Sequence, residues 1–156
     1  MEKVKAFCKR KNIEISVKRY LIDALGAMAQ GLFASLLIGT IISTLGTQLN
    51  IPILVTVGTY AKAAVGPAMA IAIGYALQAA PLVLFSLAAV GAAANELGGA
   101  GGPLAVLVVA IFAAEFGKAV SKETKIDIIV TPFVTIFVGV ALSIWWAPAI
   151  GCLLYT

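Results

Sequence analysis

The chain has 156 residues, of which 62% are apolar and 12% charged, with no histidine and a mean hydropathy of +1.06. A soluble domain of this size is nearer half apolar and a quarter charged. An ordinary soluble enzyme and a disordered tail are therefore excluded. Two cysteines and no histidine also exclude a disulfide scaffold and a Cys/His zinc module. The charges are bunched, leaving uncharged runs at 24–61, 63–95, 97–114 and 128–156. Each is long enough to enter or cross a hydrocarbon layer of about 30 Å, which predicts an all-α integral membrane protein.

Charge placement predicts the orientation. Lys3, Lys5, Lys9, Arg10, Lys11, Lys18 and Arg19 precede the first apolar run, and Lys118, Lys122 and Lys125 precede the last. The stretches 46–52 and 96–102 carry no cation. Cations favour the cytoplasmic side, so the N-terminus and 118–125 are expected inside. The basic arm reads as a topology anchor with affinity for membrane lipid rather than as a nucleic-acid site. No apolar stretch precedes Ala27-Met28-Ala29, so a cleaved signal peptide is not expected. Cys8 and Cys152 fall on opposite sides and are expected to be thiols.

In chain order, residues 1–19 form a basic arm. Val4, Phe7, Cys8, Lys11 and Ile15 share one face of a helix lying at the inner interface. Residues 20–156 form a transmembrane domain of about five transmembrane or re-entrant helices, with spans near 20–45, 53–78, 81–95, 103–120 and 127–151. In the first span Asp23, Ala27, Gly31, Ser35, Gly39 and Ser43 recur every fourth position, a ridge of small groups for close helix packing. Thr47 to Pro52 is a polar outer turn. The second span carries two more small-residue rows, Ala64-Ala68-Ala72-Ala76 and Gly66-Ala70-Gly74, and a kink is expected near Pro67. Residues 78–81 form a short inner turn, after which 81–95 is marginal for a crossing. The segment Asn95 to Pro103 holds four glycines and a proline and cannot continue a helix. Two short apolar arms around it predict a glycine-rich helical hairpin, either crossing twice or re-entrant. Trp145, Trp146 and Tyr155 place the end of the last span at the outer interface.

Ionisable groups inside spans are costly and mark candidate functional sites. Lys62 lies ten residues past Pro52, about 15 Å along a helix. It is expected to face Glu96, Glu115 or a polar cavity. Glu115 and Lys118 share a helix face and can pair. Glu115 is the deeper and suits hydrogen bonds from a polyol, while Lys118 is expected to be partly solvated. The segment 121–127 has the composition of a cytoplasmic loop and could dock a soluble partner. Asp127 lies four residues before Thr131, and Pro132 frees a backbone carbonyl, which together predict a polar notch. The substrate-binding candidates are thus Lys62, Asn95, Glu96, Glu115, Asp127 and Thr131. No hydrolytic triad, phosphate-binding loop or metal cage is present, so no catalytic residue, metal or cofactor is expected. Without histidine, no residue here can be a phosphohistidine.

The stretches RKNIEISVKRYLIDALGAMAQGLFASLLIGTIISTLGTQL, AIGYALQAAPLVLFSLAAVGAAANELGG and AAEFGKAVSKETKIDIIVTPFVTIFVG resemble the membrane (IIC) subunits of bacterial phosphotransferase-system sugar permeases. The match would cover the N-terminal half of such a subunit. The resemblance implies a permease of the bacterial cytoplasmic membrane that binds a sugar or polyol and moves it inward. It also implies homodimerisation, and phosphorylation by soluble IIA and IIB partners. Two alternatives stand beside it: a non-transporting scaffold or regulatory protein, and a small-anion carrier with Lys62 as counter-charge.

Overall fold

A computed structural model describes residues 1–10, 16–121 and 125–154, with the backbone of Tyr155. Lys11 and Ile15 of the arm, Lys122 of the loop before α8 and the Tyr155 side chain lie outside the described residues. All regular structure among the described residues is helical, as the charge-free runs require. The short amphipathic α1 (Glu2–Arg10) precedes a long helix, Lys18–Gln48, which contains α2 (Ala24–Leu32) and α3 (Ile38–Gln48). Then follow α4 (Pro52–Ala63), α5 (Val65–Ala76), α6 (Pro81–Gly98), α7 (Gly102–Val120) and α8 (Asp127–Tyr155).

Three stretches of the described chain are long and apolar enough to cross a membrane: Lys18–Gln48, Pro81–Val120 and Asp127–Leu154. The pair α4 and α5, bent by 47°, makes a fourth if counted as one. Pro81–Val120 folds back on itself. Gly117 lies against Val83, Gly102 against Asn95, and Gly98 against Ala105, so α6 and α7 are antiparallel arms of a hairpin. Its tip is the 3-10 turn Gly99–Gly101, where Gly99 takes φ +51°, a conformation that costs glycine little and other residues more. The arms have 18 and 19 residues, about 27–29 Å each. The first arm is longer than 81–95 because the helix runs through Asn95 to Gly98.

Small residues set the packing. Gly31 abuts the Ala68 carbonyl, Gly39 abuts Gly58 and Ala61, and Gly46 abuts Val55, so the first long helix runs antiparallel to α4–α5. Ser35 is buried in a π-helical turn (Phe33–Leu37), its hydroxyl donating to the Gly31 carbonyl at 2.7 Å, and Ala27 is half-buried on the same helix. The core sits between α2, α5, α6 and α7 and is closed by α8; Met69, Ile73, Leu87, Val90 and Val109 are fully buried there. By contrast, α3 and α4 pack mainly on each other and leave the core.

The kink in the second span falls at Ala64, three residues before the expected Pro67. Proline has no N–H for the carbonyl four residues back, and its ring crowds that carbonyl, which here belongs to Ala63. The chain yields at the next residue. The Ala64 N–H closes α4 on the Tyr60 carbonyl at 3.2 Å, and the Ala64 carbonyl opens α5 by accepting the Ala68 N–H at 2.9 Å.

The turn between α5 and α6 ends α5 with Gln78 at φ +57°. The Ala79 N–H returns to the Gly74 carbonyl at 3.0 Å, the six-to-one bond of a Schellman cap. A residue with a Cβ is strained at this position. Gln78→Gly is therefore expected to stabilise the fold by about 0.5–1 kcal/mol, read as a higher melting temperature in detergent.

Candidate functional site

The Schellman cap leaves the Leu77 carbonyl outside the helical ladder, and two cations converge on it. Arg19 Nη2 donates to it at 2.6 Å from the start of the first long helix, and Lys118 Nζ at 3.0 Å from the last turn of α7. Cations at a helix C-terminus offset its negative dipole end. Lys118 also stands 3.1 Å from Glu115 Oε1 as an ion pair. Only 3% of the Lys118 side chain is exposed, so the expectation of a partly solvated lysine is overturned. The Leu77 carbonyl and the Glu115 carboxylate together supply what a buried ammonium needs.

Glu115 is placed differently from an ordinary surface acid. Both carboxylate oxygens are shut off from solvent, and neither accepts a well-formed hydrogen bond. Besides the Lys118 charge, the Tyr20 phenol interacts with the same carboxylate. A buried carboxylate keeps strong acceptor capacity that is costly to leave unused. With the Tyr20 phenol and the Lys118 ammonium beside it, the carboxylate offers acceptors next to donors for a hydroxyl-rich ligand.

On α8, the fully buried Thr131 hydroxyl donates to Asp127 Oδ1, and the Thr131 carbonyl accepts the Thr135 hydroxyl at 2.8 Å. Thr135 in turn lies against Gly117 of α7, so Asp127 and Thr131 stand at the same end of the bundle as Glu115. Pro132 removes a donor from the same helix, leaving the Ile128 carbonyl without its usual partner along the ladder.

The remaining candidates lie elsewhere. Among the described residues Lys62 faces neither Glu96 nor Glu115: its ammonium donates to Ser43 Oγ at 3.5 Å, and its stem crosses Gly39. The break at Ala64 carries α4 onto α3 and away from α6, which is why the expected pairing does not form. Asn95 is half-buried between Gly66 and Gly102, and Glu96 is exposed on α6. In the hairpin, Glu115 stands level with the second turn of α6, about 15 Å from Asn95. The structure therefore separates Glu115, Asp127 and Thr131 from Lys62, Asn95 and Glu96.

Sequence reasoning passed over Arg19, Tyr20 and Leu77. Arg19 and Tyr20 border the arm and resemble interfacial anchors, and a backbone carbonyl leaves no mark in composition. No group of three or more His, Cys, Asp or Glu residues that could hold a metal occurs among the described residues.

The family described as "Phosphotransferase system, EIIC" matches residues 22–156, from the start of the first long helix through α8. No curated protein and no solved structure matches the chain. The family match covers most of the sequence and agrees with a bundle of apolar helices crossing a membrane several times. The chain therefore belongs to the EIIC family of the phosphotransferase system, the membrane permease subunits.

Proposed function

We propose that this EIIC chain binds a sugar or polyol at the cluster around Glu115 and moves it inward between packed helices. The observation that carries this reading is the buried Glu115 carboxylate, neither oxygen of which accepts a well-formed hydrogen bond, beside Tyr20 and Lys118. Sugar hydroxyls would donate to that carboxylate and accept from the cations, replacing the hydration lost on entry. Asp127 and Thr131 border the same end of the path. Lys62, Asn95 and Glu96 are too far along the bundle to touch the same ring.

The cluster end also carries Lys18, Arg19, Lys118 and Lys125, and α1 adds Lys3, Lys5, Lys9 and Arg10. This end is assigned to the cytoplasm, with five crossings, the arm at 1–19 on anionic lipid, and the 121–127 loop facing soluble IIA and IIB partners. Phosphorylation of the sugar belongs to those partners. The working unit is a homodimer.

Thermal shift in detergent against a panel of sugars, polyols and small anions tests the reading. One sugar or polyol is expected to raise the melting temperature. Glu115→Gln, which loses a charged acceptor worth about 1.5–3 kcal/mol, should weaken that ligand by about tenfold to a hundredfold. An anion response abolished by Lys62→Met would favour the anion carrier instead. Silence across the panel, with a soluble protein bound at the inner loop, would favour the scaffold.

A further inference from the structure

Two neighbouring helices are interrupted at one level. The first long helix carries the π-helical turn Phe33–Leu37 halfway along Lys18–Gln48, and there the Ile38 N–H reaches back five residues to the Phe33 carbonyl. Opposite it, α4 and α5 part at Ala64 with a bend of 47°. Gly31 lies against Ala68 and Gly39 against Ala61, so in this antiparallel pair residue 35 stands level with the break. The π turn touches both α4 and α5. The long helix therefore follows α5 on one side of the break and α4 on the other. It changes direction where its backbone holds one residue more than an α turn.

Beyond that level α3 and α4 form a closed unit. A Cβ at Gly58 would come within 2.6 Å of the Gly39 carbonyl oxygen, and one at Gly46 within 2.6 Å of the Val55 nitrogen. Packing this close leaves the two helices no room to slide on each other. Lys62 donates to Ser43 inside the same unit. The unit packs mainly on itself, whereas α2 and α5 are built into the core with α6 and α7. A stiff pair with few outside contacts, joined to a packed bundle through two irregular turns at one level, has the anatomy of a hinged flap. A swing leaves the Lys62 bond intact, because both partners travel together.

We propose that Ile38–Ala63 is a rigid flap that swings about Phe33–Leu37 and Ala64, covering and uncovering the end of the bundle opposite Glu115. The course of α5 shows where the flap would close. Gly66 lies against Gly91 and Asn95 of α6, so a straight α4–α5 would continue past Asn95 and lie alongside the Gly99–Gly101 tip. The bend holds α4 away from that tip. With 12 residues α4 is about 18 Å long, so straightening the 47° bend carries its far end about 14 Å. The flap reaches little more than half of a hydrocarbon layer of about 30 Å. Its swing thus opens one half of the layer and leaves the contacts at Leu77 and Glu115 in place. The inference rests on the permease reading, in which a ligand near Glu115 must reach the opposite end while its own end stays shut.

The test is a pair of spin labels on the full chain in lipid nanodiscs, with Cys8 and Cys152 changed to serine. Gln48→Cys and Leu97→Cys place one label at the tip of the flap and one at the end of α6. Labelled chains are diluted with unlabelled ones, so that only distances within one chain are read. Two separations are expected, differing by about 14 Å. Ile38→Cys with Ile53→Cys, both exposed and both on the flap, should give one separation under every condition. Pro67→Ala returns a donor to the Ala63 carbonyl and straightens α4–α5, so it should leave only the shorter Gln48–Leu97 separation. A single Gln48–Leu97 separation with Pro67 intact, or two separations in the control pair, overturns the inference. A sugar or polyol that raises the melting temperature is expected to shift the balance between the two separations. Binding without such a shift overturns the flap as a gate. Silence of the whole thermal-shift panel, with both separations present, counts against the permease reading and leaves the hinge standing.

Discussion

Gly91→Val is expected to prevent assembly of the helix bundle, with loss of folded protein from detergent extracts and a destabilisation of about 4 kcal/mol or more. A Cβ at position 91 would overlap the Gly66 carbonyl oxygen and come within 2.5 Å of Ala70 Cβ. The overlap is mutual: a Cβ at Gly66 would overlap the Gly91 carbonyl oxygen and lie 2.8 Å from Asn95 Cβ. Neither obstacle can swing aside, because each is backbone or the first carbon of a helical side chain. In lipid this close approach is itself the source of cohesion. Tails are as apolar as leucine, so helices associate through packing rather than through escape from water. Separating α5 from α6 by even one methyl layer would forfeit contacts along the whole seam, including Leu87 over Gly74. Gly26→Ala is the control. Nothing lies within 4 Å of a Cβ there, so that change should be neutral or stabilise the helix by up to about 1 kcal/mol. Size-exclusion recovery and melting temperature of the two variants, side by side, check the prediction.

The same contrast shows what the sequence could and could not reveal. Charge-free runs demand helices because lipid offers no partners for open backbone, and four glycines with a proline after Asn95 demand a turn. Those signals are local, and the helical hairpin at Gly99–Gly101 follows from them. The spacing of Gly66, Ala70 and Gly74 marks a smooth face, yet it does not say that Gly91 is the residue opposite. That register depends on how the Gln78 cap closes the turn between α5 and α6. Lys62 shows the limit in another way. Its depth was legible from its distance to Pro52, but its direction was not, because direction is set by which residue yields to Pro67. Lys118 stands next to a polar loop and reads as solvated. It is buried because a carbonyl 41 residues earlier in the chain needs a donor.

Lys118→Met is the second large effect, expected to destabilise the fold by about 3–5 kcal/mol. The substitution keeps side-chain length and apolar volume while deleting the ammonium. Two groups then lose their cation: the Leu77 carbonyl, still held by Arg19 at 2.6 Å, and the Glu115 carboxylate, whose oxygens are shut from water. The carbonyl therefore suffers little and the carboxylate much, since a buried charge without a counter-charge costs several kcal/mol. A double-mutant cycle separates the two. In Glu115→Gln the amide needs no counter-charge, so adding Lys118→Met to it should cost about 1 kcal/mol, near the value of one ordinary hydrogen bond. The coupling between the sites is then about 2–4 kcal/mol, and melting temperatures of the four proteins in one detergent measure it. If instead Lys118→Met costs the same with glutamate or glutamine at 115, the lysine acts as a clamp on the Leu77 turn. The Glu115 carboxylate must then be stabilised by Tyr20. If the coupling is large, Lys118 is what keeps a charged acceptor inside the bundle, and a ligand that hydrogen-bonds Glu115 should partly rescue Lys118→Met.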